Sequence, residues 1–144
     1  MFFDRRTILL GSGFVGLAGC TTANAGHRHA ARSTDETKAI ELTLLRSLDP
    51  DPERAAQFIK SNWFAMDAVA QARGLMTFFN LHVDPTPNED WNLAVQVGYP
   101  NERGFDSIRT EWAEIVAAHK TVLIDGKRLV ELATILGTRR LLPA

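Results

Sequence analysis

Between Ala39 and Leu45 apolar residues alternate with polar ones, Ile40, Leu42 and Leu44 against Glu41 and Thr43, which is the period of a half-buried strand. The segment Leu48 to Glu53 ends that strand and opens a helix: Asp51 is placed to accept from the first free amides, and Pro52 presets the backbone where its missing donor does no harm. Ala55, Ile59, Trp63, Met66 and Val69 or Ala70 then recur at helical spacing, and Arg73-Gly74 supplies a cationic last turn and a glycine cap. Leu75 to Val83 is rich in apolar and aromatic residues and predicts a second strand, which the run from Asp84 to Asp90 breaks. A third strand is predicted from Trp91, Leu93, Val95, Val97 and Tyr99, which alternate with Asn92, Ala94, Gln96 and Gly98. After Pro100-Asn101, Phe105, Ile108, Trp112, Ile115, Val116 and His119 fall on one side of a second helix. Thr121 to Ile124 is a short apolar run, Asp125-Gly126 a tight turn, and Leu129 to Thr138 a last strand.

The order is strand, helix, strand, strand, helix, strand. This is the α+β, ferredoxin-like βαββαβ arrangement, a four-stranded antiparallel sheet with two helices on one face. In element order and size, residues 38 to 142 resemble the dimeric α/β barrel superfamily, in which two such sheets pack face to face. That resemblance rests on topology, with no residue motif behind it, and implies a homodimer. Strand two agrees with a sheet buried on both faces, since Met76, Phe78 and Asn80 would point one way and Thr77, Phe79, Leu81 and Val83 the other.

Ahead of the domain the pattern changes. Asp4-Arg5-Arg6-Thr7-Ile8-Leu9 puts an arginine pair before an apolar stretch, Ile8 to Ala18, of about eleven residues, too short for a bilayer core that takes around 20 helical residues. It resembles a bacterial twin-arginine export signal, with Arg5 and Arg6 as the pair read by the receptor. Leu17-Ala18-Gly19-Cys20 resembles the lipobox of bacterial lipoproteins and implies a diacylglycerol on Cys20, which becomes the first residue of the mature chain. Thr21 after it, in place of aspartate, favours an outer membrane by the enterobacterial sorting rule. The alternative is cleavage after Ala23-Asn24-Ala25, which would release a soluble periplasmic protein. The domain expectations are thus an export signal at 1–20, a flexible polar tether at 21–37 and an α+β domain at 38–144. His27 and His29 on the tether lack further ligands for a metal site.

Composition narrows the function classes. A content of 45% hydrophobic and 23% charged residues in 144 is that of one folded globular domain. Lysine and arginine total 16 against 17 acids, and removing Asp4, Arg5 and Arg6 with the leader leaves 14 against 16, with no basic stripe to invite nucleic acid. The single cysteine, Cys20, permits no internal disulfide and no thiol metal site. Glycine-rich phosphate loops, paired-histidine metal motifs and a serine nucleophile elbow are all absent from the sequence, and Asp125-Gly126-Lys127 is a turn rather than a phosphate cradle.

Candidate chemistry therefore rests on a few side chains. His82, near the end of strand two, and His119, near the end of helix two, have the chemistry of a general base or haem ligand in a cleft between sheet and helices. Trp63 and Asp67 share a helix face at four-residue spacing, and Tyr99, the only tyrosine, closes strand three; these three are the candidate ligand-binding residues. The sequence names no cofactor. Its first reading is an exported, lipid-anchored homodimer that binds a small, mostly apolar ligand between sheet and helices. The alternatives are an enzyme of the monooxygenase or isomerase kind using His82 or His119, which the superfamily resemblance implies, and a non-enzymatic envelope protein whose sheet face docks a partner.

Overall fold

The computed structural model describes residues 36–86 and 90–144. Arg5, Arg6, Cys20 and nearly all of the tether fall outside them, so the export and lipidation expectations stand on sequence alone. Within the described residues four strands, β1 (Ala39–Ser47), β2 (Phe78–Val83), β3 (Leu93–Tyr99) and β4 (Ala133–Leu141), form one antiparallel sheet in the order β2-β3-β1-β4. A long helix follows β1 and a shorter one, α3 (Arg109–Ala118), follows β3, both on the same side of the sheet. The ferredoxin-like βαββαβ fold is thus the fold of this chain.

The first helix starts as the sequence dictates, with Asp51 Oδ1 accepting from the Glu53 amide at 3.0 Å. It ends at Gly74, whose φ of +73° only glycine adopts without cost, with Gly74 N donating to Gln71 O. Between these ends it is not uniformly α-helical. α1 (Glu53–Phe58) passes into a π-helical turn, Ile59–Trp63, before α2 (Phe64–Ala72). The extra residue in that turn lets both Asn62 and Trp63 face inward.

The core lies between the helices and one face of the sheet. Leu45, Leu93, Val95, Val97 and Tyr99 from the central strands are fully buried against Ile59, Met66 and Met76. Trp112 and Ile115 of α3 close the same cluster. Odd-numbered residues of β1 and β3 point into it and even-numbered ones point to the other face. On β3 the inward set is the apolar one, as the alternation predicts; on β1 it is the reverse, with Glu41 and Thr43 beneath the helices and Ile40, Leu42 and Leu44 facing away, because Glu41 binds the Phe105 amide and Thr43 the Thr138 hydroxyl.

Five expected boundaries move, one of them the end of the last strand, which runs to Leu141 rather than Thr138. Strand two begins at Phe78 rather than Leu75, because Leu75 N donates back to Ala70 O and the chain is still leaving the helix; Met76 therefore drops into the core instead of joining Phe78 on the far face. Strand three begins at Leu93, leaving Trp91 outside the ladder. Helix two is preceded by a separate 3-10 turn, Gly104–Ser107, since Gly104 takes a φ of +56° that an α-helix does not admit. The last strand begins at Ala133 because Leu129–Glu131 forms a 3-10 turn, which Glu131 closes by accepting from Arg128 N at 2.9 Å. Asp125 and Gly126, with φ of 51° and 75°, make the expected tight turn between Ile124 and Lys127.

Candidate functional site

Two places in the fold carry polar chemistry in a position to act. The first is the sheet face turned away from the helices. On its central strand, β1, Ile40, Leu42 and Leu44 stand half-buried in a row. On β3 the same face carries Ala94, Gln96 and Gly98, and on β2 Phe78, Asn80 and His82, through the pairs Phe78 with Gly98, Asn80 with Gln96 and His82 with Ala94. On β4, Arg139 pairs with Leu42 and Leu141 with Ile40. A bulge between Leu44 and Leu45 leaves Leu136 as an extra residue in β4, 45% exposed.

Phe78 shapes this face. A Cβ at Gly98 would overlap the Phe78 ring and the Thr77 hydroxyl, so the ring lies across β3 where only glycine leaves it room. The result is a surface with an apolar middle and polar groups toward both edges. His82 Nε2 lies 3.2 Å from Gln96 Oε1, which makes that nitrogen the donor. Arg46 at the end of β1 donates to Asp90 O and Oδ1.

The second place is the junction of the π turn with the chain after α3. Asn62 is fully buried, and its amide nitrogen donates to Phe58 O at 3.0 Å and Val122 O at 2.9 Å. Its oxygen accepts from Val122 N at 2.7 Å. Those backbone partners fix which end of the amide is which, and so settle the histidine beside it: His119 Nε2, 3.1 Å from Asn62 Oδ1, must carry the proton, leaving Nδ1 as the acceptor of the neutral ring. Burial lowers the His119 pKa below its ordinary value and favours that neutral form.

A third polar cluster is structural. Glu41, nearly buried, accepts from the Phe105 amide at 3.0 Å and the Tyr99 hydroxyl at 3.3 Å, tying the 3-10 turn onto the sheet. Gly104 sits against it, and a Cβ there would come within 2.9 Å of Glu41 Oε1.

The five residues expected to carry function separate accordingly. His82 lies on the open sheet face and His119 in the helical layer behind the sheet, so the two do not share a cleft. Trp63, Asp67 and Tyr99 do meet in one layer, between sheet and helices, but they are 3%, 0% and 0% exposed. At these three side chains the packing leaves almost no surface for a ligand to touch. A groove of about 620 Å³ does open at the far end of β1, lined by residues 46–53, 83–86 and 92. Three of its four carboxylates are engaged in local structure, Asp49 with Arg54 at 2.8 Å, Asp51 with the Glu53 amide at 3.0 Å and Asp84 with the Thr86 amide at 2.8 Å. Among the described residues no three His, Cys, Asp or Glu side chains converge as a metal site.

Sequence reasoning missed Asn62 and Arg139. An asparagine inside an apolar helical stripe was the available signal for the first; nothing marks the second until strand register shows which face it takes.

No family model matches the chain, and no curated protein matches it. Among solved structures, HapK from Hahella chejuensis is similar, with 14% identity and a TM-score of 0.48, over 74% of this chain and 92% of HapK. A dimeric protein of unknown function and ferredoxin-like fold from Bacteroides fragilis NCTC 9343 is similar too, with 14% identity and a TM-score of 0.41, over 74% of this chain and 95% of that one.

Proposed function

We propose that this chain is an exported lipoprotein that pairs with a second copy of itself through the open sheet face and holds a small, mostly apolar ligand between the two sheets. The observation that carries the reading is the row Ile40, Leu42 and Leu44 on the central strand, half-buried and covered by no described element. Four strands about 4.8 Å apart, paired over about seven residues, make a footprint of about 450 Å² before the relief of the side chains is counted. That is of the order of the ~800 Å² of accessible surface that each partner contributes to a standard interface. A two-fold arrangement sets the same patch against itself and closes the assembly at two copies.

The sealed packing around Trp63, Asp67 and Tyr99 moves the ligand from the layer between sheet and helices to the space between sheets. His82, Gln96 and Asn80 then become polar contacts at its edge. Export and anchoring rest on Arg5, Arg6 and Cys20.

Light scattering on the mature chain tests the reading: the expected mass is that of two copies, and Leu42→Glu, which places a carboxylate mid-row, is expected to give a folded monomer. A wild-type monomer at micromolar concentration refutes it. Cys20→Ala is expected to move the protein out of the membrane fraction, and retention there removes the anchor from the proposal.

A further inference from the structure

We propose that the ligand held between the paired sheets is an apolar acid, a hydrocarbon or aromatic body with a carboxylate head, and that Arg139 receives the head. The inference rests on the homodimer reading above and adds to it the chemistry of the ligand.

The argument starts from what the open face lacks. None of the strand residues on that face is an aspartate or glutamate, as the registers show. It does carry arginines, and they differ. Arg46 is held by Asp90 at the strand end. Arg140, one residue from Arg139, points the other way and donates to Arg103 O and Asp106. Arg139 pairs across the ladder with Leu42, in the middle of the apolar row, and no hydrogen bond or ion pair joins its side chain to another described residue.

An isologous interface brings to each face only the residue types that face already has. The carboxylate at the end of that face, Asp90, is already held by Arg46, so covering the face with a second copy brings the two Arg139 guanidinium groups no strand carboxylate to meet. A guanidinium stays charged at any pH the protein meets, so once covered it cannot shed its charge by losing a proton. An anion from outside the protein fills that place. A carboxylate suits the guanidinium fork in two parallel hydrogen bonds.

The surroundings leave room for such a head and a track for the body. Gly137, two residues along β4 on the same face, has nothing within 4 Å of where its Cβ would stand. From Arg139 the face runs over Leu42 to Gln96 and Asn80, three strand spacings or about 14 Å. Leu44 and the Phe78 ring flank that track. A body of that length lies on side chains that bury apolar surface and ends at groups that tolerate a polar tail.

The test titrates dodecanoate and dodecanol, equal in chain and different in head, into the purified mature protein, with light scattering on the same samples. A dimer that binds dodecanoate about tenfold or more tightly than dodecanol, with Arg139→Gln erasing the difference while remaining dimeric, supports the proposal. Arg139→Lys, which keeps charge but not the fork, is expected to retain part of the preference. A dimer that binds both probes equally, binds neither, or keeps its preference in Arg139→Gln overturns the inference and leaves the dimer reading standing. A monomeric wild type overturns the dimer reading first and this one with it. Should Arg139→Gln not fold, the preference in the wild-type dimer is read against salt, and one unchanged by salt overturns the assignment to an ion pair.

Discussion

Replacing Asn62 is expected to be among the most damaging single changes to this fold, and its cost follows from four hydrogen bonds. Asn62→Ala leaves Phe58 O, Val122 O and Val122 N without the partners they have now, and strips the acceptor from His119 Nε2. A buried group left unsatisfied costs about 1–3 kcal/mol, and water reaches part of this junction because the Val122 side chain is 46% exposed. The sum expected is about 3 kcal/mol, a large share of the 5–15 kcal/mol typical of a domain, and worth about 10–15 °C in melting temperature. Urea denaturation followed by circular dichroism measures it. Asn62→Asp is the sharper variant, since it keeps shape and volume but turns the donor that faces two carbonyl oxygens into a third oxygen. The repulsion raises the folded-state pKa of that new carboxyl above its unfolded value. Its stability deficit should accordingly shrink as pH falls, because the protonated acid donates again. His119→Ala, which removes one of the four hydrogen bonds and a half-buried ring, is expected to cost less, about 1 kcal/mol. An Asn62→Ala loss below about 1 kcal/mol, or an Asn62→Asp variant as stable as wild type at neutral pH, would refute the reasoning.

Three further outcomes are expected. Because burial lowers the His119 pKa, protonation opposes folding: the stability this residue confers is full above its ordinary pKa of 6.5 and declines as pH falls through that value toward the lower folded one, a slope that His119→Gln should flatten in denaturation curves taken across mildly acidic buffers. Gly98→Ala forces the Phe78 ring and the Thr77 hydroxyl aside and should cost about 1–3 kcal/mol by the same denaturation assay, while an alanine tolerated there would mean the ring does not cross β3. Glu41→Ala orphans the Phe105 amide and should cost about 2–3 kcal/mol, whereas Tyr99→Phe, which removes a 3.3 Å bond, should cost about 1 kcal/mol or less; equal losses would place the weight of this cluster on the hydroxyl instead.

Much of the fold was legible because its period is regular. β1 and β3 alternate without a break, which marks both as strands; on β3 the apolar set is the buried one, while on β1 the apolar set faces away from the helices and the polar Glu41 and Thr43 are buried, an inversion that the period alone does not reveal. Asp51, Gly74 and Asp125-Gly126 announce their turns through local chemistry that tertiary packing does not override. The misread strand starts share a cause: an apolar residue next to a strand looks like part of it. Met76 and Leu129 are apolar because the core covers them, and they do so from turns rather than from the ladder. The site was less legible. Trp63, Asp67 and Tyr99 are side chains able to bind, but polarity in a sequence does not say whether a group meets solvent or a neighbour, and Tyr99 meets Glu41. Arg139 and Arg140 are adjacent and identical, and only the register past the bulge assigns one to the Asp106 pair and the other to the open face.

The π turn also sets where the helix tolerates a change of length. Each residue of an α-helix advances the rotation by about 100°, so an added residue ordinarily turns everything beyond it onto another face; the wider π turn takes up one extra residue within a single turn and leaves α1 and α2 with their inner faces toward the sheet. Deleting one residue from Ile59–Trp63 would restore regular hydrogen bonding and keep Ala55, Phe58, Met66 and Ala70 on the inner face. What it would remove is the shared inward position of Asn62 and Trp63. The same deletion within α1 or α2 has no such turn to absorb it and would rotate one half against the other. An alignment of this chain with a relative whose helix is uniformly α should carry a one-residue gap within 59–63 and none elsewhere in 53–72.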